Sequence, residues 1–246
     1  MTSAESSPAL MLKLLGREQV ADQTMSFRFE KPAGWAFKPG QSVDMTLIDP
    51  PETDAEGNTR SFSIASDQSE DALLFATRLR GSAFKRVLSQ MPLGSRVKVD
   101  GPFGSLTLHN NAARAAVFLA GGIGITPFRG MIVRAAREKL AHRIYLFYSN
   151  HRPEDAIFLD ELQSLQQQNR NYKLIATMTG MEKSQRPWQG ETGFIDKAML
   201  DRNLQDAASP IYYTAGPAAM VKAMQSLLNQ SGVDDDDIRV EEFPGY

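Results

Sequence analysis

The most constraining feature of this sequence is a change of hydrophobic grammar near His109. Before it, apolar runs are short and bounded by turn residues: Ser26 to Phe29, Ser42 to Ile48, Ser61 to Ala65, Ala72 to Leu79 and Arg96 to Val99. Lys31-Pro32, Pro39-Gly40, Pro50-Pro51, Gly57-Asn58, Pro92-Leu93-Gly94 and Gly101-Pro102 supply the punctuation. Many short strands with regular turn signals predict an antiparallel sandwich or barrel, interrupted by one helical pattern from Ser82 to Gln90. After His109-Asn110-Asn111, strand and helix patterns alternate. Strands are expected at Ala115 to Ala120, Arg143 to Tyr148, Tyr172 to Met178, Ile211 to Thr214 and Ile238 to Glu242. Helices are expected at Pro127 to Leu140, Ile157 to Gln168 and Pro217 to Asn229. That alternation predicts parallel β-α-β units with helices on both faces of a sheet. A boundary falls near residues 109–114, dividing the chain into domains 1–110 and 111–246.

None of the 246 residues is cysteine. Disulfides, thiolate zinc sites, iron–sulfur clusters and cysteine nucleophiles are thereby excluded within these residues, so any redox chemistry needs a borrowed cofactor. With 27 Lys+Arg against 29 Asp+Glu, the chain also lacks the positive field of a nucleic-acid or anionic-lipid binder. The apolar stretch Ala9 to Leu12 is interrupted by Lys13 and follows no basic segment. The sequence therefore predicts neither a secretory signal nor a membrane span, and a cytoplasmic protein. Asp234 to Asp237 reads as a solvated turn, and His109, His142 and His151 show no metal-ligand spacing, so no metal is expected.

The second half carries the clearest chemical signal. Phe118-Leu119-Ala120 runs into Gly121-Gly122-Ile123-Gly124-Ile125-Thr126-Pro127, where a helical pattern begins. Glycines allow a tight turn and close approach of a phosphate, Thr126 is placed to cap the helix, and Pro127 suits its first position. Free N–H groups and the positive dipole end would then face an anion. A second strand meets a helix in the same way at Ala215-Gly216-Pro217-Ala218-Ala219-Met220. In a parallel sheet both openings lie at the carboxyl ends of strands, the edge where open α/β sheets bind ligands. In the first half, Arg60-Ser61-Phe62-Ser63 offers a phosphate partner, an aromatic face and hydroxyls, and also reads as ordinary strand alternation.

Together, Arg60-Ser61-Phe62-Ser63, the Gly121 to Pro127 loop, the Ala215-Gly216-Pro217 turn and the closing Glu241-Glu242-Phe243 resemble the ferredoxin–NADP⁺ reductase family of flavoproteins, in order from Phe37 to Phe243. The resemblance implies an amino-terminal antiparallel six-stranded Greek-key β-barrel that binds flavin, followed by a Rossmann-like parallel α/β domain that binds a nicotinamide nucleotide. It implies Arg60 on the flavin phosphate, Phe62 over one face of the ring system and Ser63 near its N5, with Ser61 also among the cofactor-binding residues. Arg80, Gly81, Ser82, Ala83 and Lys85 would place a helix amino terminus against the flavin pyrophosphate. Gly121, Gly122, Gly124, Thr126 and Pro127 would cradle the nicotinamide pyrophosphate, Gly216, Pro217 and Met220 would also bind cofactor, Ala215 would stand where relatives keep a thiol beside the reacting rings, and Asn150 and Arg152 would lie toward the adenosine ribose. Glu241 stands for the family's acidic residue near the rings, and Phe243 for its carboxyl-terminal aromatic. Ser63, Glu241 and Phe243 are thus the residues expected at the chemistry.

The implied reaction is hydride transfer from nicotinamide C4 to flavin N5, with electrons passed to a separate acceptor such as a ferredoxin or an oxygenase component. A diaphorase with a small-molecule acceptor and a non-catalytic nucleotide-sensing module are the alternatives. FAD is expected rather than FMN. NADH is expected over NADPH, because Glu154 and Asp155 beside Arg152 oppose a 2′-phosphate and Met178-Thr179-Gly180 lacks the arginine of many NADPH users. Phe62 replaces the family's usual tyrosine, Ala215 replaces its cysteine, and Gly81-Ser82-Ala83-Phe84 fits the helix-start motif in two registers.

Overall fold

The computed structural model describes residues 10–243; the residues before Leu10, on which part of the no-leader reading rests, lie outside the described residues. Six strands form one antiparallel sheet: β1 (Leu10–Ala21), β2 (Thr24–Glu30), β3 (Ser42–Leu47), β4 (Thr59–Ser63), β5 (Ala72–Arg78) and β6 (Arg96–Phe103), in the order β4-β3-β6-β1-β2-β5. Alternate residues point inward, among them Leu12 and Leu14, Phe27 and Phe29, Val43 and Met45, and Val97 and Val99, and these fill one core. The two edges of the sheet meet where Ala65, just past β4, donates its N–H to Leu74 O of β5 at 2.8 Å. Helix α1 (Ala83–Gln90) plugs the core with Phe84 and Leu88.

One strand of this sheet, β1, is absent from the sequence expectation. Met11 and Leu15 are 45% and 46% exposed, and these outward apolar residues blur the Leu12–Leu14 alternation into what reads as a single short apolar run. Strand β6 also continues past its predicted end at Val99, because Phe103 still pairs with Ser42 beyond the Gly101-Pro102 turn signal.

The second sheet is parallel and comprises β7 (Ala116–Gly121), β8 (Ile144–Asn150), β9 (Tyr172–Met178), β10 (Glu191–Thr192), β11 (Ile211–Pro217) and β12 (Ile238–Phe243), in the order β10-β9-β8-β7-β11-β12. Strand β7 is buried throughout, as a parallel strand covered on both faces must be. One face packs on α2 (Thr126–Arg137) and α3 (Leu159–Gln168), the other on α4 (Lys197–Asn203) and α5 (Ala218–Gln230). Among the described residues, no helix is long and apolar enough to cross a membrane. Neither the short β10 nor α4 is anticipated by sequence pattern. The Asp234 to Asp237 run is more than a solvated turn, since Asp237 forms a 2.6 Å ion pair with Arg114.

Helix α2 joins the two sheets. Gly130 lets it approach Ser66, whose carbonyl oxygen would lie 2.6 Å from any Cβ added there. Beside that contact Arg129, only 6% exposed, donates to Ala65 O at 2.9 Å and to Glu70 at 3.0 and 3.1 Å from the barrel, and to Glu161 of α3 at 2.8 and 2.5 Å. Its guanidinium also lies over the Phe158 ring, 5.1 Å from the centroid.

Candidate functional site

Strands β7 and β11 are hydrogen-bonded neighbours, with Ala120 paired to Ala215, although the chain leaves β7 toward β8 on the other side. The strand order therefore reverses between them, which makes this the switch point at which an open α/β sheet forms its ligand crevice. The two small-residue turns meet there. A Cβ on Gly124 would run into the carbonyl of Ala215 and come 2.7 Å from Gly216 N, and one on Gly121 would collide with Met220 and approach Pro217 to 3.1 Å. At Gly216, whose φ is +151°, a Cβ would come within 3.1–3.2 Å of Gly121 backbone atoms. The glycines thus hold the two turns together. Thr126 does not cap α2 as expected. A 3₁₀ turn over Gly122–Ile125 starts the helix earlier, so Thr126 is already helical and its hydroxyl donates back to Ile123 O at 2.9 Å.

Opening on this crevice is a cleft of about 330 Å³ between the two sheets. Arg60, Ser61, Phe62, Ser63 and Lys85 line it from the barrel, and Thr126, Glu241 and Phe243 from the side of the parallel sheet. Across it Ser63 Oγ donates to Glu241 Oε1 at 2.8 Å, linking β4 to β12. Burial raises the Glu241 carboxyl above its ordinary pKa, with the Ser63 hydroxyl opposing the rise. Phe62 also belongs to the barrel core, edge-on to Phe75 and tilted on Phe84. Ser61 is held by Asp44. Ala215, fully buried, is the register partner of Glu241 on the adjoining strand.

Cations gather at one end of the cleft. Arg78, at the end of β5, lines it, and its buried Nε has no hydrogen-bond partner. Lys85 has its pKa lowered first by burial and then by the charges of Arg60, Arg80 and Arg78. Unpaired buried donors and crowded like charges fit a ligand carrying phosphates. Arg60 itself is already engaged. It donates to the carbonyls of Glu56, Gly57 and Thr59, pairs with Asp54 at 3.3 Å and Glu56 at 2.8 Å, and touches Ser82 Oγ at 3.3 Å. Asp54 also accepts the Ala83 N–H at 2.7 Å, which is the main reason its pKa is lowered. An internal carboxylate therefore sits on Arg60 and on the amino terminus of α1 together. The helix begins at Ala83, with Gly81 at φ +49° and Ser82 in the cap position, and this settles the register of the helix-start motif.

A second cleft, about 560 Å³, lies beyond the carboxyl ends of β8 and β9 and is lined by Arg78, Arg80, Arg152, Thr179, Lys183 and Phe194, among others. Arg152 donates through Nε and Nη2 to Asp155, at 3.0 and 2.9 Å, and through Nη2 to Asp22 of the barrel at 2.9 Å. Glu154 is turned away, accepting from Ser184 Oγ at 3.0 Å and from the Gln185 N–H at 2.9 Å. Asn150 is buried, yet neither its amide oxygen nor its amide nitrogen has a partner. An unpaired buried amide costs about 1–3 kcal/mol, which a polar ligand at this strand end would offset. Phe194 is 79% exposed and offers a bare ring face to the cleft.

Sequence reasoning missed Arg78, Asp22, Asp54 and Phe194. Arg78-Leu79-Arg80 before the helix start was the one available signal; the others reach the site through chain-distant packing. Of the residues expected from the sequence, Gly121, Gly124, Ala215, Gly216, Pro217 and Met220 build the walls of the crevice rather than lining either cleft, and Pro127 is buried in the first turn of α2.

Residues 118–226 match the oxidoreductase NAD-binding domain family. The chain is 27% identical over 224 residues to the glycine betaine monooxygenase reductase subunit of Chromohalobacter salexigens, covering 90% of this chain and 60% of that protein. It is 26% identical over 219 residues to the reductase component of propane 2-monooxygenase from Rhodococcus jostii, covering 87% of this chain and 57% of that protein. It thus spans about three fifths of the length of these relatives. The ferredoxin NADP⁺ reductase of Neisseria gonorrhoeae, solved with bound FAD and NADP, superposes with a TM-score of 0.77 at 20% identity over 96% of this chain and 99% of that one.

Proposed function

Since the chain belongs to the ferredoxin–NADP⁺ reductase-like family of FAD- and NAD-binding oxidoreductases, we propose that it is a flavin-dependent NAD(P)H oxidoreductase that passes electrons to a separate acceptor protein. The observation that carries this reading is the Ser63–Glu241 hydrogen bond, which ties the barrel strand bearing Arg60 and Phe62 to the sheet bearing the glycine turns. On this reading residues 1–110 form the flavin-binding half and 111–246 the nicotinamide half. FAD is the favoured flavin, because Arg78, Arg80 and Lys85 supply more positive charge than a single phosphate needs. When bound, the two groups supply hydride transfer from a reduced nicotinamide to a flavin.

The protein's part is positioning and control of charge. Phe62 and Phe243 flank the cleft with aromatic surface, and the side chains of Ser63 and Glu241 hold a proton between them where charge changes during the reaction. Asn150 and Phe194 would receive the adenosine end. NADH is favoured over NADPH because Asp155 and Asp22 neutralise Arg152 and occupy its Nε–Nη2 edge, and both carboxylates would repel a 2′-phosphate. The two relatives, a monooxygenase reductase subunit and a monooxygenase reductase component, support an oxygenase component as acceptor. Anaerobic absorbance titration of the flavin-loaded protein tests the reading. NADH should bleach the flavin band at a far lower concentration than NADPH, and failure of both to bleach it would sink the proposal.

Two further outcomes are expected at this site. Asp54→Ala removes the carboxylate that competes for Arg60 and the α1 amino terminus, so FAD should bind the flavin-free protein about tenfold more tightly in a fluorescence titration. Unchanged or weaker binding would mean that Asp54 does not compete. Glu241 makes stability depend on pH. Its folded pKa lies above the ordinary value of 4.5, so its stabilisation is full below that value and is lost as pH rises through the raised folded value. Glu241→Gln should flatten the fall in thermal midpoint over that window, and parallel wild-type and variant profiles would refute the assignment.

A further inference from the structure

Away from both clefts, a third cavity of about 360 Å³ lies where the loop before β3, the connection between the sheets, α2 and β12 converge. Lys38, Thr107, His109, Asn110, Arg134 and Arg239 provide its polar lining, which contains three permanent cations and no carboxylate. Lys38 Nζ has no hydrogen bond or ion pair among the described residues. Arg134 uses its Nε on Glu138 at 2.9 Å. Arg239 is fixed at one wall, donating to Thr107 O at 2.8 Å and lying over the Tyr213 ring at 5.1 Å. His109 forms a closed floor: its Nδ1 meets Tyr213 OH at 2.9 Å and its Nε2 meets Arg114 O at 3.1 Å, so it offers the cavity no free ring nitrogen.

Glu138 balances Arg134, but Lys38 and Arg239 face the same concavity with no carboxylate partner among the described residues, so a net positive field is focused there and an entering counter-charge would relieve it. A fixed guanidinium is suited to phosphate or carboxylate, and Thr107 and Asn110 add neutral partners. The volume is near the lower end for ligand pockets, which favours a compact occupant. We propose that this cavity binds a small anion with at least two negative charges, a phosphate group or a dicarboxylate. The site is distinct from the flavin and nucleotide clefts and stands without the reading of them. Its walls come from both sheets, so the occupant bridges them. Arg239 also alternates with Glu241 and Phe243 along the inward face of β12, which places the anion on the strand that borders the flavin-side cleft.

The test is a thermal-midpoint titration of the flavin-loaded full chain with sodium phosphate and, separately, sodium malonate, each against sodium chloride of equal ionic strength. A saturable rise with phosphate or malonate but not chloride is expected, and the anion that saturates at lower concentration identifies the preferred group. Lys38→Gln, on an exposed loop, should weaken the apparent affinity at least tenfold; Arg239→Gln should do the same and Arg239→Lys should restore part of it. Because flavin already fills its own cleft in this preparation, the response cannot come from phosphate held there. An equal response to chloride, or an affinity unmoved by Lys38→Gln, would overturn the proposal.

Discussion

Gly124→Ala is expected to lower stability by about 3 kcal/mol and, on the proposed function, to abolish nicotinamide-nucleotide binding. In most helical turns the same change stabilises, because glycine loses more backbone entropy on ordering than alanine does. Here the added methyl would enter the carbonyl group of Ala215 and approach Gly216 N to 2.7 Å. Those are backbone atoms of β11 in the middle of a parallel sheet, and no rotamer can relieve the overlap. The first turn would have to move off the second, opening the crevice at the switch point. Urea denaturation gives the stability change. Gly16→Ala is the contrasting variant, since no atom lies within 4 Å of a Cβ placed there, and it should be close to neutral. A Gly124→Ala protein as stable as the Gly16→Ala protein would show that the two turns are not locked together.

Arg129→Ala is the second large effect. Removing the guanidinium orphans the Ala65 carbonyl and leaves Glu70 and Glu161 facing each other without their shared counter-charge. Because the two carboxylates remain 31% and 36% exposed, the cost is set below that of a fully enclosed pair, at about 2–4 kcal/mol. Arg129→Lys should recover only part of this, since one ammonium cannot span three acceptors in a plane. A second readout separates mere stability from positioning. Arg129 sits three residues beyond Thr126 and holds Ala65, two residues beyond Ser63, so on the proposed function slackening it should slow reduction of bound flavin by NADH far more than it weakens FAD binding. Rates and affinities falling in parallel would contradict a positioning role.

How much of this was legible in the sequence varies with the source of the constraint. Strand β7 was plain because both its faces are covered and every residue is apolar or small. Strand β1 was not, since outward Met11 and Leu15 hide its period of two. Ser63 and Glu241 were legible as motif residues, but their mutual hydrogen bond was not, because nothing local brings a barrel strand to the last strand of another sheet. Asp22 on Arg152 and Asp54 on Ala83 were invisible for the same reason. The glycine loop was recognised by its small residues, while the packing that requires two of them, against Ala215 and Met220, depends on which strand lies alongside.

The central place of β1 governs the order in which this protein assembles. Leu12 pairs with Val97 on one side and Leu14 with Phe29 on the other, so the first of the barrel strands waits for almost the whole barrel before its second edge is satisfied. Loop-closure entropy must be overcome before that distant pairing contributes, and such topologies fold slowly. The β7-to-β9 segment, by contrast, grows by adding each strand beside its predecessor, a short-range process. During synthesis the barrel therefore stays open along one seam until β6 emerges, and capture of a ligand that needs the closed barrel follows that event.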